Sequence, residues 1–157
     1  MARAKLDRID RKILRDLQAD GRITNVDLAK RVGISAPPCL RRVRALEDAG
    51  FIQSYHANVN ASALGYGVTV FAHVKLNSQA DKEMTRFEGM MAEMPLVREC
   101  YLLAGDFDYM LKIVAKDWDA YQEFHQNVLT KLEPVTLVKS TLSIRTPKQE
   151  PGVPIEE

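Results

Sequence analysis

Residues 29–44 read Ala-Lys-Arg-Val-Gly-Ile-Ser-Ala-Pro-Pro-Cys-Leu-Arg-Arg-Val-Arg, and their pattern predicts how the first half of the chain folds. Gly33 is free to adopt the positive φ that ends a helix, and Ser35 can cap the helix that follows. Pro37 and Pro38 fall in the first turn of that helix, where backbone N–H groups have no intrahelical partner and proline costs little. A short helix, a tight turn and a longer helix are the layout of a helix-turn-helix.

Two helices are predicted ahead of the turn. Apolar residues recur at three- and four-residue spacing over residues 6–17, where Asp7 is the expected N-cap and Asp20–Gly21 the stop, with Gly21 free to take positive φ. Thr24 is the expected N-cap of the short second helix, and Asp27, three residues later, gives a partial capping box. Residues 1–50 therefore predict a helix-turn-helix domain.

The third helix has an apolar side and a basic side. Leu40, Val43 and Leu46 set the inward direction, so Pro38 and Arg41 are expected to point outward. Such a helix fits the major groove of DNA, where its first turns read base edges and its flanks bind phosphates. The predicted DNA-contacting residues are Arg22, Thr24, Asn25, Ser35, Pro37, Pro38, Arg41, Arg42 and Arg44. A plain helical bundle with solvent-facing arginines is the alternative.

The distribution of charge favours contact of the first half with a polyanion. The net charge is only +1 over 157 residues, yet residues 1–60 carry 12 Lys+Arg against 7 Asp+Glu. Residues 61–157 carry 10 against 14. A basic first half suits double-stranded DNA, and an acidic second half indicates a different task for that part of the chain.

Composition excludes several classes of protein. With 46% apolar and 27% charged residues, the chain is typical of a soluble globular protein. Its apolar runs are far shorter than the roughly 18 residues of a membrane span, and Met1–Ala2–Arg3 leads into charged sequence without a signal-peptide core. Cys39 and Cys100 have no Cys/His cluster beside them. We expect a cytoplasmic, nucleoid-associated protein with no membrane contact, no metal and no cofactor.

The second half predicts an α+β unit with the order β-α-β-β-α-β. This order is the ferredoxin-like split unit, in which two helices cover one face of a four-stranded antiparallel sheet. The open face must find a partner. The predicted elements are a strand over 68–76, a helix marked by Met84 to Met94, strands over 96–104 and 109–115 joined by a hairpin at 105–108, a helix marked by Tyr121 to Leu132, and a strand over 135–146.

The regions between and after these domains have their own patterns. Residues 51–67 form a linker, in which the alternation over 51–60 predicts a strand and the glycines of 61–67 predict a hinge. The predicted effector domain covers residues 68–146. Residues 147–157 are rich in proline and glutamate, and we expect a poorly ordered, flexible tail.

These sequences closely resemble the Lrp/AsnC, or feast/famine, family of bacterial and archaeal transcription regulators. The resemblance is carried by residues 6–14, 20–25, 29–35, 38–44, 47, 50–53, 99–100 and 105–109. It implies a winged-helix-like helix-turn-helix domain followed by a ferredoxin-like, ACT-like domain for effector binding and oligomerisation. It also implies a homodimer built on the open sheet face, which assembles into tetramers or octamers and regulates genes of amino-acid metabolism or transport.

The resemblance further implies an amino-acid effector, with leucine or another apolar amino acid expected. Backbone N–H groups of the hairpin at 105–109 can hold an α-carboxylate, and Asp108 or Asp106 can accept from the α-ammonium. Leu102 and Trp118 would favour an apolar side chain. The implied effector positions are Leu102, Gly105, Asp106, Phe107, Asp108, Trp118, Thr141, Leu142 and Ser143. Ordinary turn chemistry and a helix-opening tryptophan are the alternatives.

Two other functions compete with a sequence-specific regulator. One is an architectural protein that wraps DNA with little sequence preference. The other is a haem-pathway decarboxylase, which some relatives on this two-domain fold resemble. Such an enzyme would need histidines around a tetrapyrrole, whereas His56, His73 and His125 are scattered. We predict no catalytic residues; the effector, the operator, the direction of regulation and the oligomer size stay open.

Overall fold

The computed structural model describes residues 5–156, which divide into two units. The first combines residues 5–58 with 148–156, and the second spans 59–147. Residues 1–4, which include the predicted charged start of the chain, and Glu157 of the predicted tail lie outside the described residues. Within the described range, no helix has both the length and the apolar character that a membrane span requires.

The first unit contains three helices: α1 (Arg8–Ala19), α2 (Asn25–Val32) and α3 (Ala36–Asp48). Asp7 caps α1 as predicted, because its carboxylate accepts from the Asp10 N–H at 2.8 Å and the Asp10 carboxylate accepts from the Asp7 N–H at 3.1 Å. The predicted stop differs. Asp20, with φ −145°, closes the helix, and Gly21 has no positive φ because the Arg22 N–H bonds the Asp20 carboxylate and shapes the turn.

The helix-turn-helix prediction is confirmed in its local chemistry. The Thr24 hydroxyl accepts from the Asp27 N–H at 3.1 Å and donates to its carboxylate at 2.7 Å, which fixes the start of α2. Gly33 ends α2 at φ 79°, a left-handed conformation that favours glycine. Ser35 occupies the N-cap position of α3, but its side chain makes no capping hydrogen bond.

The core of the first unit shows that α3 is rotated relative to the prediction. Cys39 is fully buried, whereas Leu40, predicted to face inward, is 39% exposed. At about 100° per residue, Cys39, Val43 and Leu46 share one side of the helix and Leu40 falls outside it. The exposed side is therefore centred on Arg41. The buried core residues are Ile13, Leu28, Ala29, Val32, Cys39 and Leu46.

The predicted strand over residues 51–60 is absent from this structure. The alternating pattern gives that segment an apolar face, but a strand also needs a hydrogen-bonded neighbour, and none pairs with it within residues 5–156. The N–H groups of Phe51 and Ile52 instead bond the Leu46 carbonyl at the end of α3. A short 3-10 turn, Ser62–Leu64, then ends at Gly65 with φ 82°. No β-wing follows α3 in the described part of the first unit.

The second unit confirms the predicted β-α-β-β-α-β order. Its elements are β1 (Val68–Leu76), α4 (Asp81–Ala92), β2 (Val97–Leu102), β3 (Tyr109–Ala115), α5 (Trp118–Asn127) and β4 (Val135–Leu142). The sheet is antiparallel with strand order β2-β3-β1-β4. Elements β2, α5 and β4 are shorter than predicted; α5 ends where Val128 leaves helical geometry, and a 3-10 turn at Leu129–Lys131 follows.

The sheet has one covered face and one open face. The covered face contributes the alternate residues Val70, Ala72 and Val74 of β1, which pack with Phe87 and Met91 of α4. On the open face the side chains are half-buried or exposed, and no helix of residues 59–147 covers them. These open-face residues include Phe71, His73, Tyr101, Met110, Lys112, Leu137 and Thr141.

The C-terminal segment differs from the expected flexible tail. Residues 148–156 belong to the first unit, and Val153 bonds the side chain of Gln18 on α1 through both of its backbone polar groups. Composition alone favours disorder here, but these long-range contacts hold the segment in place. We call residues 148–156 the tail segment.

Candidate functional site

The exposed side of α3 carries most of the predicted DNA-contacting residues. Pro37, Arg41 and Arg44 are exposed, and Ser35 is exposed at the N-cap. Neither arginine forms an ion pair within residues 5–156. Their cationic groups are therefore free to bind phosphates or base edges. Arg22 and Thr24 are exposed beside the start of α2, where they add a basic and a polar side chain to the surface of the first unit.

Arg42 is placed differently from expectation. Its guanidinium lies 2.7 Å from a carboxylate oxygen of Asp7 and 2.7 Å from one of Asp10. The backbone N–H of Asp10 and then the Arg42 guanidinium lower the pKa of Asp7, and the two carboxylates raise the pKa of Arg42. Arg42 therefore ties α3 to the start of α1, because the rotation of α3 brings it to the edge of the core.

Asn25 and Pro38 are half-buried in the first unit. The Asn25 amide nitrogen donates to the Ala36 carbonyl at 2.9 Å, which links the start of α2 to the first turn of α3. The amide oxygen of Asn25 is buried without a partner in the described part of the chain. Pro38 is half-buried. Of the nine predicted DNA-contacting residues, six are exposed: Arg22, Thr24, Ser35, Pro37, Arg41 and Arg44.

The hairpin between β2 and β3 holds the predicted effector carboxylates in two different settings. Asp108 is only 6% exposed, and its carboxylate accepts from the Leu76 N–H and from the Gln79 side chain, both at 2.7 Å. Asp108 thus fastens the hairpin to the end of β1, contrary to the expectation that it contacts an α-ammonium. Asp106 and Gly105 are exposed, so Asp106 is the carboxylate available at the turn.

Phe107 packs beside the hairpin on the open face of the sheet. Its ring lies 5.5 Å from the His73 ring, centroid to centroid. His125 lies near Tyr121 on α5, and His56 is exposed in the linker. No group of three or more metal-ligating side chains occurs among the described residues.

The implied effector positions lie at two opposite ends of the sheet. Leu102 pairs with Tyr109 beside the hairpin, whereas Leu142 pairs with Val70, which pairs with Ile113. That offset is about 13 Å along the strands and about 14 Å across the three strand spacings between β2 and β4, or about 20 Å in total. One amino acid cannot bridge this distance within a single chain.

We name the two sets of implied effector positions the hairpin group and the far group. The hairpin group comprises Leu102, Gly105, Asp106, Phe107 and Asp108. The far group comprises Trp118, Thr141, Leu142 and Ser143; Trp118 opens α5 next to the end of β3, and the Ser143 N–H bonds the Thr69 carbonyl at 2.9 Å. Trp118, Thr141 and Leu142 are exposed, so the far group can contact a second molecule.

A cavity of about 360 Å³ adjoins the hairpin group along the edge strand β2. Leu102 and Arg98 line it from β2, and Glu88 lines it from α4. The Tyr109 hydroxyl donates to the Glu88 carboxylate at 2.8 Å, and burial together with that carboxylate raises the pKa of Tyr109. Burial, and then the Glu88 charge, raise the pKa of Cys100 to about 11.

Sequence reasoning missed Glu88 as a lining residue. It is one exposed acidic residue among several on α4, and no local pattern sets it apart. Its hydrogen-bond partner Tyr109 lies on β3, 21 positions later in the chain, so only the packing of the tertiary structure identifies it.

Comparison with known proteins agrees with this geometry. A family model described as the Lrp/AsnC ligand binding domain matches residues 69–153, and one described as a winged helix-turn-helix DNA-binding domain matches residues 6–53. The leucine-responsive regulatory protein of Rhizobium meliloti is 51% identical over 148 residues, which cover 94% of this chain and 95% of that protein. The Bkd operon transcriptional regulator of Pseudomonas aeruginosa is 44% identical and covers 91% of this chain and 94% of its own length.

The solved structures include a transcriptional regulator of Neisseria meningitidis in complex with L-Met. It superposes with a TM-score of 0.91 at 33% sequence identity, covering 96% of this chain and 97% of that chain. All three similar proteins are named as regulators, and the matches span both units of the fold. The chain therefore belongs to the Lrp/AsnC family of transcriptional regulators.

Proposed function

We propose that the protein binds specific DNA sequences through the exposed side of α3 and changes its regulatory state on binding an apolar amino acid. The observation that carries the proposal is the basic side of α3, where Arg41 and Arg44 are exposed, lie opposite the buried Cys39 and form no ion pair among residues 5–156. In a helix-turn-helix, the N-terminal part of the recognition helix contacts base edges in the major groove, and α3 is the recognition helix here. Ser35 and Pro37 occupy that part of α3.

The open sheet face supports a homodimer as the DNA-binding species. It exposes apolar side chains such as Tyr101 and Leu137, which a second copy would cover. Two recognition helices related by a two-fold axis read half-sites about one helical turn apart, roughly 34 Å. Further assembly into tetramers or octamers is part of the proposal, as is action on the cytoplasmic nucleoid at genes of amino-acid metabolism or transport.

The effector site is proposed between two copies of the chain. The hairpin group of one copy would hold the α-carboxylate on backbone N–H groups and the α-ammonium on Asp106. The far group of a neighbouring copy would complete the site, since the two groups lie about 20 Å apart within one chain. The similar proteins named for leucine response and bound to L-Met support an apolar side chain on the effector.

The DNA arm is tested by selecting bound sequences from random duplexes and then measuring the affinity of a selected duplex. We expect Arg41→Ala to lower that affinity at least tenfold, because one good base contact is worth about 1 to 3 kcal/mol. Lys82→Ala removes the same charge from the exposed surface of α4 and is the matched control. Failure to enrich any sequence would favour the architectural alternative, and wild-type affinity of Arg41→Ala would place the reading surface elsewhere.

The effector arm is tested by thermal unfolding with each of the twenty amino acids. Selective stabilisation by an apolar amino acid, of order RT ln(1+[L]/Kd), is the expected result. We expect Asp106→Asn to lose this stabilisation while keeping DNA affinity. Full stabilisation of Asp106→Asn would refute its assignment to the α-ammonium.

A further inference from the structure

The tail segment is held on α1 by paired hydrogen bonds. The Gln18 side-chain nitrogen donates to the Val153 carbonyl at 2.8 Å, and the Val153 N–H donates to the Gln18 side-chain oxygen at 3.1 Å. One side-chain amide thus satisfies both polar groups of one backbone residue, as a neighbouring strand would. Arg11, two turns earlier on α1, donates to the Glu156 carbonyl at 3.4 Å.

Gly152 makes this docking specific to the sequence. Its φ is +72°, and a Cβ built there would lie 2.0 Å from the Gln18 amide oxygen and 2.4 Å from the amide carbon. A side chain at position 152 would therefore push the Gln18 amide out of its hydrogen bonds with Val153, as well as strain the backbone.

The groove beneath the tail segment is apolar and incompletely filled. Leu14 and Leu17 line it from α1, and Phe51 lines it from the segment after α3. A cavity of about 640 Å³ remains, and Val153 is still 65% exposed. The hydrogen bonds that hold the tail segment are exposed to solvent, which is a feature of the parts of a fold that open with little free energy.

The tail segment is the covalent continuation of the second unit, and hydrogen bonds within the first unit connect it to the recognition helix. Strand β4 ends at Leu142 within the far group, and residues 143–147 connect it to the tail segment. The tail segment binds Gln18 of α1, and Asp10 at the other end of α1 binds Arg42 of α3. Each link is a hydrogen bond or a covalent connection, which is the kind of network that carries coupling between sites.

We propose that the groove on α1 is a docking surface for the chain's own tail segment, and that docking carries the effector response from β4 to α3. The occupant is residues 148–156 of the same chain, docked through Val153 and released when β4 shifts. The docking stands on the contacts above. The link to the effector rests on the proposed function, so the two parts have separate tests.

Docking is tested by hydrogen exchange at the Val153 amide in the full chain, resolved by fragmentation mass spectrometry. We expect Gly152→Ala to accelerate this exchange at least tenfold. Glu150→Gln is the matched control, because Glu150 lies in the tail segment and its ion pair is with Lys148 of the same segment and not with a residue of α1. Equal exchange in the wild type and Gly152→Ala would overturn the docking.

A double-mutant cycle separates the clash from a general disturbance of the tail. Gln18→Ala removes both the hydrogen bonds and the atoms that a Cβ at position 152 would meet. Adding Gly152→Ala to Gln18→Ala should therefore accelerate the exchange at Val153 by clearly less than Gly152→Ala does in the wild type, since only the backbone strain of a positive φ remains. The same acceleration by Gly152→Ala in both backgrounds would show that Gly152 acts without Gln18 and would refute the proposed contact.

The coupling is tested by the affinity for a selected duplex with and without L-leucine. Gly152→Ala should keep the leucine-free affinity within about twofold and lose most of the shift that leucine causes in the wild type. A full shift in Gly152→Ala would overturn the coupling while leaving the docking intact. A wild-type protein that responds to no amino acid would refute the proposed effector and the coupling with it, and exchange at Val153 would still decide the docking.

Discussion

Replacing Asp108 tests whether this carboxylate holds the hairpin or binds the effector. Asp108→Ala removes the acceptor of the buried Leu76 N–H, a hydrogen bond of 2.7 Å to a charged oxygen. A buried donor left without a partner costs about 1 to 3 kcal/mol. The other partner, the Gln79 amide, is exposed and finds water instead. We therefore expect Asp108→Ala to lower the free energy of unfolding by about 2 kcal/mol.

Asp108→Asn is the informative companion. Its amide oxygen can still accept from the Leu76 N–H, and the Gln79 amide can rotate to accept from the new NH₂ group. We expect a loss below about 1 kcal/mol, since both hydrogen bonds are kept and only lose the charge of their acceptor. Because the hairpin keeps its position, amino-acid binding should survive in Asp108→Asn and weaken in Asp108→Ala. Urea denaturation gives the stabilities, and titration calorimetry gives the amino-acid affinity.

The matched control is Asp106→Asn on the same hairpin. Asp106 is exposed, so we expect no measurable loss of stability but a loss of amino-acid affinity. An Asp108→Asn variant with wild-type stability and no amino-acid binding would refute the structural role of Asp108. It would show that the carboxylate charge itself meets the ligand.

Three further predictions concern the fold and the thiol chemistry. Gly33→Ala should destabilise the protein by about 1 to 2 kcal/mol, because Gly33 has a left-handed φ of 79° and no neighbouring atom that a Cβ would meet. Gly89→Ala, at a helical position with open space, should stabilise the protein by about 0.5 to 1 kcal/mol. Thermal denaturation of both variants separates backbone strain from crowding. Burial and then the charge of Glu88 raise the pKa of Cys100 from 9.0 to about 11. Alkylation of Cys100 should therefore be about a hundredfold slower at pH 8 than that of an ordinary thiol, and its rate should rise with pH up to about 11. A fast reaction at pH 8 would contradict this pKa. Phe87→Ala empties a fully buried site between α4 and the sheet and should cost about 3 to 5 kcal/mol in chemical denaturation; a loss under about 1 kcal/mol would show that the core closes over the gap.

Local chemistry made much of the fold predictable. The caps at Asp7 and Thr24 and the left-handed Gly33 depend on residues within one turn, and the structure has all three. The bounds of β1 and β3 follow from a period-two pattern whose buried face is continuous. Patterns of this kind are set by the nearest neighbours in sequence, so they can be read without knowing the tertiary structure.

The errors arise where a contact between distant residues decides the outcome. The alternating residues 51–60 lack a strand to pair with, and Leu40 gives way to Cys39 because the core accepts the smaller side chain on that side of α3. Arg42 and Asp108 both bind partners more than thirty positions away. No local sequence pattern indicates either partner, so from the sequence Arg42 and Asp108 both resembled unpaired functional groups.

The central position of β1 has a consequence for how the protein is made. β1 is the first strand of its unit to be synthesised, yet its two neighbours, β3 and β4, are the third and the last of the four strands. At roughly 5 to 20 residues per second, the ribosome takes about 3 to 13 s to move from Leu76 to Leu142. Both edges of this apolar strand are unpaired until β3 is complete, and the edge that β4 covers stays unpaired throughout that time. Such edges are templates for association with other chains. The nascent second unit should therefore depend on chaperone binding at β1 until β4 arrives.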